Sequence, residues 1–131
     1  MAYQIFIVDD DRFLLDLYAV KFKNAGHEVR VFGGGEELLT ELRKGAKGPD
    51  AILIDVIMPG VSGLEAIELI RKEKLVPETK IIVLSNQGQD SDIDKARVLG
   101  VAGYIVKASA IPSEVLTETL HIIENPNAKL T

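Results

Sequence analysis

The chain has 131 residues, of which 47% are hydrophobic, and its 15 Lys and Arg against 20 Asp and Glu give a net charge of −5. This length and apolar content predict one compact domain that buries about two thirds of the surface of the unfolded chain. The acidic balance argues against binding to nucleic acid, and the absence of cysteine excludes disulfides, thiolate metal sites and cysteine nucleophiles.

The chain carries no signal for insertion into a membrane or for export. No apolar run approaches the length of about 18 residues that a membrane span needs, and no basic segment precedes an apolar one at the N-terminus. We therefore expect a soluble, cytoplasmic protein without a membrane partner. We assign residues 1–124 to a single domain and expect the polar segment 125–131 to fray.

One pattern occurs five times along the chain: a short apolar run, a turn, and a longer stretch with helical spacing. The predicted strands are 5–8, 29–32, 51–54, 81–84 and 104–106, and the predicted helices are 11–25, 35–45, 63–75, 89–99 and 112–124. Most of the runs do not alternate apolar with polar residues, which is typical of parallel strands covered on both faces. The run at 29–32 alternates, which favours an edge position.

Turn and capping residues agree with these boundaries. Pro112 lies at a first-turn position, Ser62 precedes the third helix as a candidate cap, and Gly26 and Gly100 follow the first and fourth helices. Strands and helices that alternate in this way predict an open α/β sheet with right-handed crossovers.

Polar residues follow four of the predicted strands directly. They are Asp9, Asp10 and Asp11 after the first strand, Asp55 after the third, Ser85 after the fourth and Lys107 after the fifth. Because ligands of open α/β sheets bind beyond the carboxyl ends of the strands, we expect these side chains to meet at one edge.

Three carboxylates at one edge require compensating positive charge. Each pair of unit charges about 4 Å apart repels by about 4 kcal/mol at an effective dielectric constant near 20, and Lys107 alone does not balance three. A shallow set of carboxylate oxygens with open positions favours Mg²⁺ over Ca²⁺. Beside Mg²⁺, a lysine and a hydroxyl, Asp55 is a candidate nucleophile toward a phosphoryl group.

Several segments together resemble a known family. "VDDD" at 8–11, "DVIMPGVSGLE" at 55–65, the apolar run ending in Ser85 and "GYIVK" at 103–107 look like the receiver domain of two-component response regulators. "FGGGEELL" at 32–39 matches the less specific opening of the family's second helix, so the resemblance covers about 5–124. It implies a flavodoxin-like, doubly wound sheet of five parallel strands in the order 2-1-3-4-5, with five helices.

The resemblance also implies roles for individual residues. Asp55 would accept a phosphoryl group from a sensor histidine kinase or a phosphotransfer protein, and Lys107 would pair with a phosphoryl oxygen. Asp10, Asp55 and the backbone carbonyl of Ile57 would bind Mg²⁺, while Asp9 would orient a water on the metal. The protein would then catalyse only its own phosphorylation and dephosphorylation.

A switch is implied as well. Ser85 would move to hydrogen-bond the phosphoryl group, and Tyr104 would rotate inward behind it, since the new charge and acceptors attract the hydroxyl. The face formed by the fourth helix, fifth strand and fifth helix would bind a downstream protein, whose identity the sequence leaves open. The resemblance also allows a phosphorylation-dependent homodimer.

The sequence departs from the family pattern after Lys107 and after Ser85. Ala108 replaces the usual proline, and we favour a cis Lys107–Ala108 bond although it costs about 2.5–4 kcal/mol. Asn86 replaces a small residue and would narrow access to the site. Ile57 and Gln87 occupy positions that tune the lifetime of the phosphoryl group in the family; because a branched apolar group at 57 cannot orient water, we predict slow dephosphorylation.

The first helix is apolar over an arc of about 260°, more than one buried stripe needs. In the family this helix docks on the kinase, so we predict that Phe13, Leu17 and Val20 contribute to that contact. The alternative is that these side chains pack deeply beneath neighbouring helices.

Three other interpretations belong to different classes. An aspartate-nucleophile phosphatase of the haloacid dehalogenase type also uses an Asp-x-Asp, here Asp9 and Asp11, but Phe13 stands where it needs a small or hydroxyl residue. A flavodoxin-type binding module is disfavoured by the three aspartates after the first strand. A receiver that signals without phosphorylation is disfavoured because the acidic residues, Ser85 and Lys107 are all present. We expect no fused output domain, and a single-domain protein and a fragment of a longer regulator both remain open.

Overall fold

The computed structural model describes residues 2–45, 47–86, 89–107 and 110–130. Five strands alternate with five helices along the chain. The strands are β1 (Gln4–Val8), β2 (Glu28–Phe32), β3 (Ala51–Asp55), β4 (Lys80–Ser85) and β5 (Gly103–Val106). The helices are α1 (Arg12–Asn24), α2 (Gly35–Leu42), α3 (Gly63–Lys72), α4 (Asp90–Val98) and α5 (Pro112–Glu124).

All five strands pair in parallel in the order β2-β1-β3-β4-β5, which confirms the predicted fold class and strand order. The strand at 28–32 lies at an edge, as its alternation indicates. The register places Val8 beside Ile54, and Ser85 beside Val106. Consequently the segments that follow β1, β3, β4 and β5 begin at the same rim of the sheet.

Both faces of the sheet are covered by helices. On one face α2, α3 and α4 enclose a cluster of buried side chains that includes Phe6, Ile54 and Ile67, and on the other α1 and α5 enclose a second cluster that includes Ile7, Phe22 and Val115. The central strand β3 is buried at every position, which explains why its sequence shows no alternation. Full burial of each large aliphatic side chain of β3, namely Ile52, Leu53 and Ile54, contributes about 1.5–3 kcal/mol.

The helix starts are fixed by the capping residues that the sequence offers. The Asp11 side chain accepts a hydrogen bond from the Leu14 N–H at the start of α1. Ser62 and Glu65 form a reciprocal capping box at the start of α3, and Pro112 begins α5. The positions of Ser62 and Pro112 confirm the prediction, whereas the Asp11 cap was not predicted.

The ends of α2 and α3 come three residues earlier than predicted, at Leu42 and Lys72. In α3 the cause is a Schellman motif without glycine, in which Lys74 has a φ of 56°. The Leu75 N–H donates to the Ile70 carbonyl and the Lys74 N–H to the Arg71 carbonyl. Because lysine occupies the left-handed position, the sequence carries no signal for this end.

The segment after α5 packs against the rest of the domain, whereas we expected it to fray. The Leu130 N–H donates to the Val101 carbonyl at 3.1 Å, and Leu130 and Ala128 pack against the two core clusters. Lys80 Nζ also donates to the Pro126 carbonyl at 3.4 Å. None of the helices built from the described residues has the length and apolar character needed to cross a bilayer.

Candidate functional site

Three carboxylates meet at the carboxyl rim of the sheet. Asp9 and Asp10 follow β1, and Asp55 is the last residue of the neighbouring β3. One oxygen from each of the three lies within 4.8 Å of the others. The expected convergence of residues 9, 10 and 55 is therefore observed.

Lys107 reaches this group from the end of β5. Its Nζ lies 2.6 Å from Asp9 Oδ2 and 3.4 Å from Asp55 Oδ2, and its side chain is only 5% exposed. Burial alone would lower the pKa of Lys107, but the hydrogen bonds and negative charges of Asp9 and Asp55 outweigh it, so the pKa is raised. The lysine stays charged at neutral pH and supplies positive charge at the rim.

Asp9 is completely buried and uses both of its carboxylate oxygens. Oδ1 accepts the Asp11 N–H at 2.9 Å, and Oδ2 accepts from Lys107 at 2.6 Å. A buried carboxylate is tolerated only when it is paired and hydrogen-bonded in this way. Asp9 therefore has a fixed position, and it links the start of α1 to the lysine.

Asp55 is also buried, with 5% of its surface exposed. Burial raises the pKa of its carboxyl to about 6, with a further contribution from the charge of Asp9, while Lys107 and the backbone of Ile57 act in the opposite direction. The carboxyl is thus ionised at neutral pH but held in an environment that disfavours its charge. Such a carboxylate is stabilised when its negative charge is partly neutralised, which makes Asp55 a candidate acceptor of a phosphoryl group.

The residues present fit a magnesium ion. The donor atoms within reach are carboxylate oxygens, which hard divalent cations prefer, and the rim carries three carboxylates against one lysine. Asp10 is exposed while Asp9 and Asp55 are buried, so the set is open toward solvent on one side. An open site suits Mg²⁺, which retains water molecules and binds phosphate oxygens.

Ser85 and Tyr104 share one face of the sheet. Ser85 is the last residue of β4 and is 4% exposed, and Tyr104 lies beside Val83, two residues before Ser85. Tyr104 is half-buried and packs against the cluster beneath α2, α3 and α4. The hydroxyl and the aromatic ring therefore lie on the same face of the sheet, with Ser85 nearer the rim than Tyr104.

Gly63 lets the start of α3 pack closely against the backbone of Asp55. A Cβ atom at this residue would lie 1.9 Å from the Asp55 carbonyl oxygen, and the Gly63 N–H donates to the Val56 carbonyl at 2.8 Å. The start of α3 is thereby held against the peptide of Asp55. The signal in the sequence is a glycine directly after a capping serine, eight residues beyond the aspartate.

Helix α1 exposes the three apolar side chains predicted to contact a kinase. Phe13 is 72% exposed, Leu17 39% and Val20 57%. The alternative of deep packing beneath neighbouring helices is wrong, because the buried face of α1 consists of Leu15, Tyr18, Ala19 and Phe22.

The positions that depart from the family pattern are placed only in part. Ile57 is 76% exposed beside Asp55, and Asn86 is exposed after β4. Gln87 and Ala108 lie outside the described residues, and so does the Lys107–Ala108 bond for which we favoured the cis isomer.

Comparison with known proteins decides the family. Residues 5–120 match the family described as the response regulator receiver domain. The chain belongs to this family. As a receiver domain it is a signalling domain with a phosphoacceptor role in two-component systems, and the haloacid dehalogenase alternative is not favoured.

The relatives are regulators with additional sequence. The receiver domain is 32% identical over 105 residues to the sensory transduction protein RegX3 of Mycolicibacterium smegmatis, covering 79% of this chain and 43% of that protein. It is 29% identical to the DNA-binding response regulator MtrA of Mycolicibacterium paratuberculosis, covering 82% of this chain and 45% of that protein. It therefore spans less than half of the curated relatives that it matches here.

A solved structure extends the likeness to three dimensions. A putative response regulator from Chloroflexus aurantiacus is 29% identical, with a TM-score of 0.82, and the match covers 95% of this chain and 100% of that chain. Receiver domains pair with histidine kinases.

Proposed function

We propose that Asp55 of this receiver domain accepts a phosphoryl group from the phosphohistidine of a histidine kinase or phosphotransfer protein. The observation that carries the proposal is the position of the Asp55 carboxylate, buried at the end of the central strand and 3.4 Å from the Lys107 ammonium. An oxygen of Asp55 attacks phosphorus, the P–N bond to the histidine breaks, and the imidazole leaves and takes up a proton. The product is an acyl phosphate on Asp55.

The neighbouring side chains prepare the carboxylate for this step. Asp9 holds Lys107 at the rim through a contact of 2.6 Å, from where its ammonium pairs with an oxygen of the incoming phosphoryl group. Asp10, Asp55 and the Ile57 carbonyl are the groups that would hold Mg²⁺, and Asp9 would orient a water on the metal. When bound, the ion neutralises charge on the transferring oxygens.

Phosphorylation changes the charge at one point of the rim, and the sheet offers a path for the signal. The added oxygens attract the hydroxyl of Ser85 at the end of β4, and Tyr104 on β5 turns toward the space behind it. The face made of α4, β5 and α5 then binds a downstream protein or a second phosphorylated copy. In this scheme residues 1–124 form the receiver domain and 125–131 its C-terminal tail.

Exposed apolar side chains on α1 supply a contact for the kinase. Phe13 and Val20 are 72% and 57% exposed, and with Leu17 they form a patch on the helix that begins beside Asp10. A partner histidine that approaches the rim passes this patch. Docking there brings the phosphohistidine to Asp55.

The test is phosphorylation with acetyl phosphate, and binding of beryllofluoride, with Mg²⁺ or with EDTA. The intact mass of the protein should increase by one phosphoryl group only with Mg²⁺, and the Asp55→Asn variant should gain none. Asp16→Asn, an exposed aspartate on α1, is the matched control and should behave as wild type. Modification that persists in Asp55→Asn, or that proceeds equally in EDTA, would refute the assignment.

A further inference from the structure

A concave groove lies between α3 and α4, outside the acid cluster. Its volume is about 760 Å³, and Val56 and Met58 form its buried floor. Leu64 of α3 and Leu99 after α4 line its walls. Half of its twelve lining residues are apolar and half are polar or charged, and a groove of this size with apolar walls and a few polar groups has the character of a binding site.

Two large apolar side chains stand at the mouth of this groove. Val98 is 86% exposed and Ile57 is 76% exposed. Helix α4 contributes little to the core, since only Ala96 of its nine residues is buried. Contiguous exposed apolar surface around a cavity marks an interaction site more often than isolated exposed side chains do.

The rim of the groove is acidic. Glu65, Glu68, Asp92 and Asp94 line it against a single Lys95. Asp94 pairs with Arg97, but neither Glu68 nor Asp92 has an ion pair within the part of the chain that the structure describes. These two carboxylates, one on each helix, therefore give the lining of the groove negative charge that no ion pair among the described residues balances.

We propose that this groove binds an amphipathic helix of a partner protein whose apolar side chains are flanked by lysine and arginine. Two helices form the walls, and a third helix packs between them with anchors at i, i+3 or i+4, and i+7. Basic flanks match Glu68 and Asp92 across the groove. A second copy of this chain fits poorly, because each copy carries a net charge of −5.

The groove is continuous with the phosphoacceptor strand without including its charged groups. Val56 and Ile57, at the floor and the mouth, directly follow Asp55. The binding itself needs no modification of Asp55, so it is tested on the unphosphorylated protein. Failure of helix binding leaves the phosphorylation proposal untouched, and the reverse also holds.

The experiment is selection from a phage-displayed library of helical 14-residue peptides, followed by fluorescence polarisation with the enriched peptides. We expect enrichment of sequences with apolar residues at i, i+3 or i+4, and i+7 and with a positive net charge. Val98→Asp should raise the Kd at least tenfold, although it adds a negative charge. Ile111→Asp, which changes a side chain that is 61% exposed outside the groove, should leave the Kd within twofold.

Charge reversal gives an independent readout. Glu68→Lys should raise the Kd about fivefold, while Glu118→Lys, at an exposed position of α5, should change it less than twofold. Thermal unfolding followed by circular dichroism checks that each variant folds.

Four results would overturn the proposal. The first is a selection that yields no such peptides, and the second is equal binding by wild type and Val98→Asp. The third is tighter binding by Val98→Asp, which would show simple attraction between opposite charges. The fourth is enrichment of uncharged apolar peptides only.

Discussion

Lys107 Nζ lies 2.6 Å from Asp9 Oδ2, and this buried ion pair joins residues that are 98 positions apart in the sequence. The distance from the same ammonium to Asp55 is longer, at 3.4 Å. In the unphosphorylated protein the lysine is therefore held mainly by Asp9. Under the proposed function, a phosphoryl group on Asp55 would compete with Asp9 for the ammonium.

Removal of this lysine should destabilise the fold in the absence of metal. Lys107→Ala leaves buried Asp9 without a cation, and breaking a buried pair from one side costs about 3–5 kcal/mol. Urea unfolding in EDTA at pH 7.5 measures the loss. Mg²⁺ should stabilise the variant more than wild type, because the carboxylates then lack their other cation.

The control for this variant is Lys44→Ala. Lys44 pairs with Glu41 at 3.2 Å, but its side chain is 64% exposed, so we expect a change below about 1 kcal/mol. Equal stability of Lys107→Ala and Lys44→Ala in EDTA would show that Asp9 does not depend on the lysine.

Asp55→Asn should stabilise the metal-free protein at pH 7.5. The folded protein raises the pKa of Asp55 from 3.8 to about 6, so the folded state favours the protonated carboxyl. The protonated Asp55 carboxyl therefore contributes stability that is fully present below about pH 4 and is lost as the pH rises through about 6. The variant carries no charge there, so its advantage is on the order of 1 kcal/mol at pH 7.5, after screening by solvent.

Chemical unfolding of both proteins between pH 4 and pH 8 in EDTA checks this prediction. The difference in the free energy of unfolding should shrink toward zero as the pH falls to 4. Asp16→Asn, at an exposed site, should show no such trend. A difference that grows toward acid would contradict a raised pKa.

Gly63→Ala should destabilise the protein severely. The new Cβ would meet the Asp55 carbonyl oxygen at 1.9 Å, and the nearest atoms are all backbone atoms of Asp55 and Val56, so no flexible side chain can yield. Overpacking costs about 1–3 kcal/mol and more when backbone must move, so we expect a loss of at least 3 kcal/mol in urea unfolding. Gly34→Ala, where a Cβ meets nothing within 4 Å, should cost less than about 1 kcal/mol.

Charged substitutions on α1 should separate kinase docking from phosphoryl chemistry. Phe13→Glu and Val20→Glu should slow transfer from a cognate phosphorylated kinase at least tenfold, because a charge opposes desolvation of the patch. Phosphorylation by acetyl phosphate, which needs no docking, should keep its rate. Ile111→Glu is the matched exposed control; equal effects on both donors, or no effect on either, would contradict the docking role.

Ile57 should prolong the lifetime of the phosphoryl group. Its branched apolar side chain is 76% exposed beside Asp55 and cannot orient an attacking water molecule. We expect the isolated phosphoprotein to persist for minutes or longer. Ile57→Asn, whose amide can hydrogen-bond a water molecule, should shorten its half-life about fivefold or more. Loss of radiolabelled phosphate over time measures this, and a lifetime of seconds in wild type would count against it.

The convergence of the acids was predictable because parallel strands place their carboxyl ends at one rim. Asp9, Asp55 and Lys107 each follow an apolar run, and that position alone brings them together. The strand order itself came from the resemblance, because strand composition does not say which runs are neighbours. The edge position of β2 was visible in its alternation.

Other features depend on tertiary contacts that single residues do not reveal. The early end of α3 relies on Lys74 in a conformation usually taken by glycine. Lys107 lies closer to Asp9 than to Asp55, at 2.6 Å against 3.4 Å, and a sequence pattern cannot predict a difference of less than 1 Å. The spacing of apolar residues could not predict whether Phe13 is exposed or buried, because apolar residues occupy most of the circumference of α1.

The Asp9–Lys107 contact has a consequence for the newly made chain. Asp55 is translated at the end of β3, but Lys107 follows β5, which leaves the ribosome after the other four strands of this domain. A shortened product that has completed β1 and β3 would carry Asp55 without its cationic neighbour. Under the proposed function, responsiveness to the donor would thus be reserved for chains whose synthesis has passed β5.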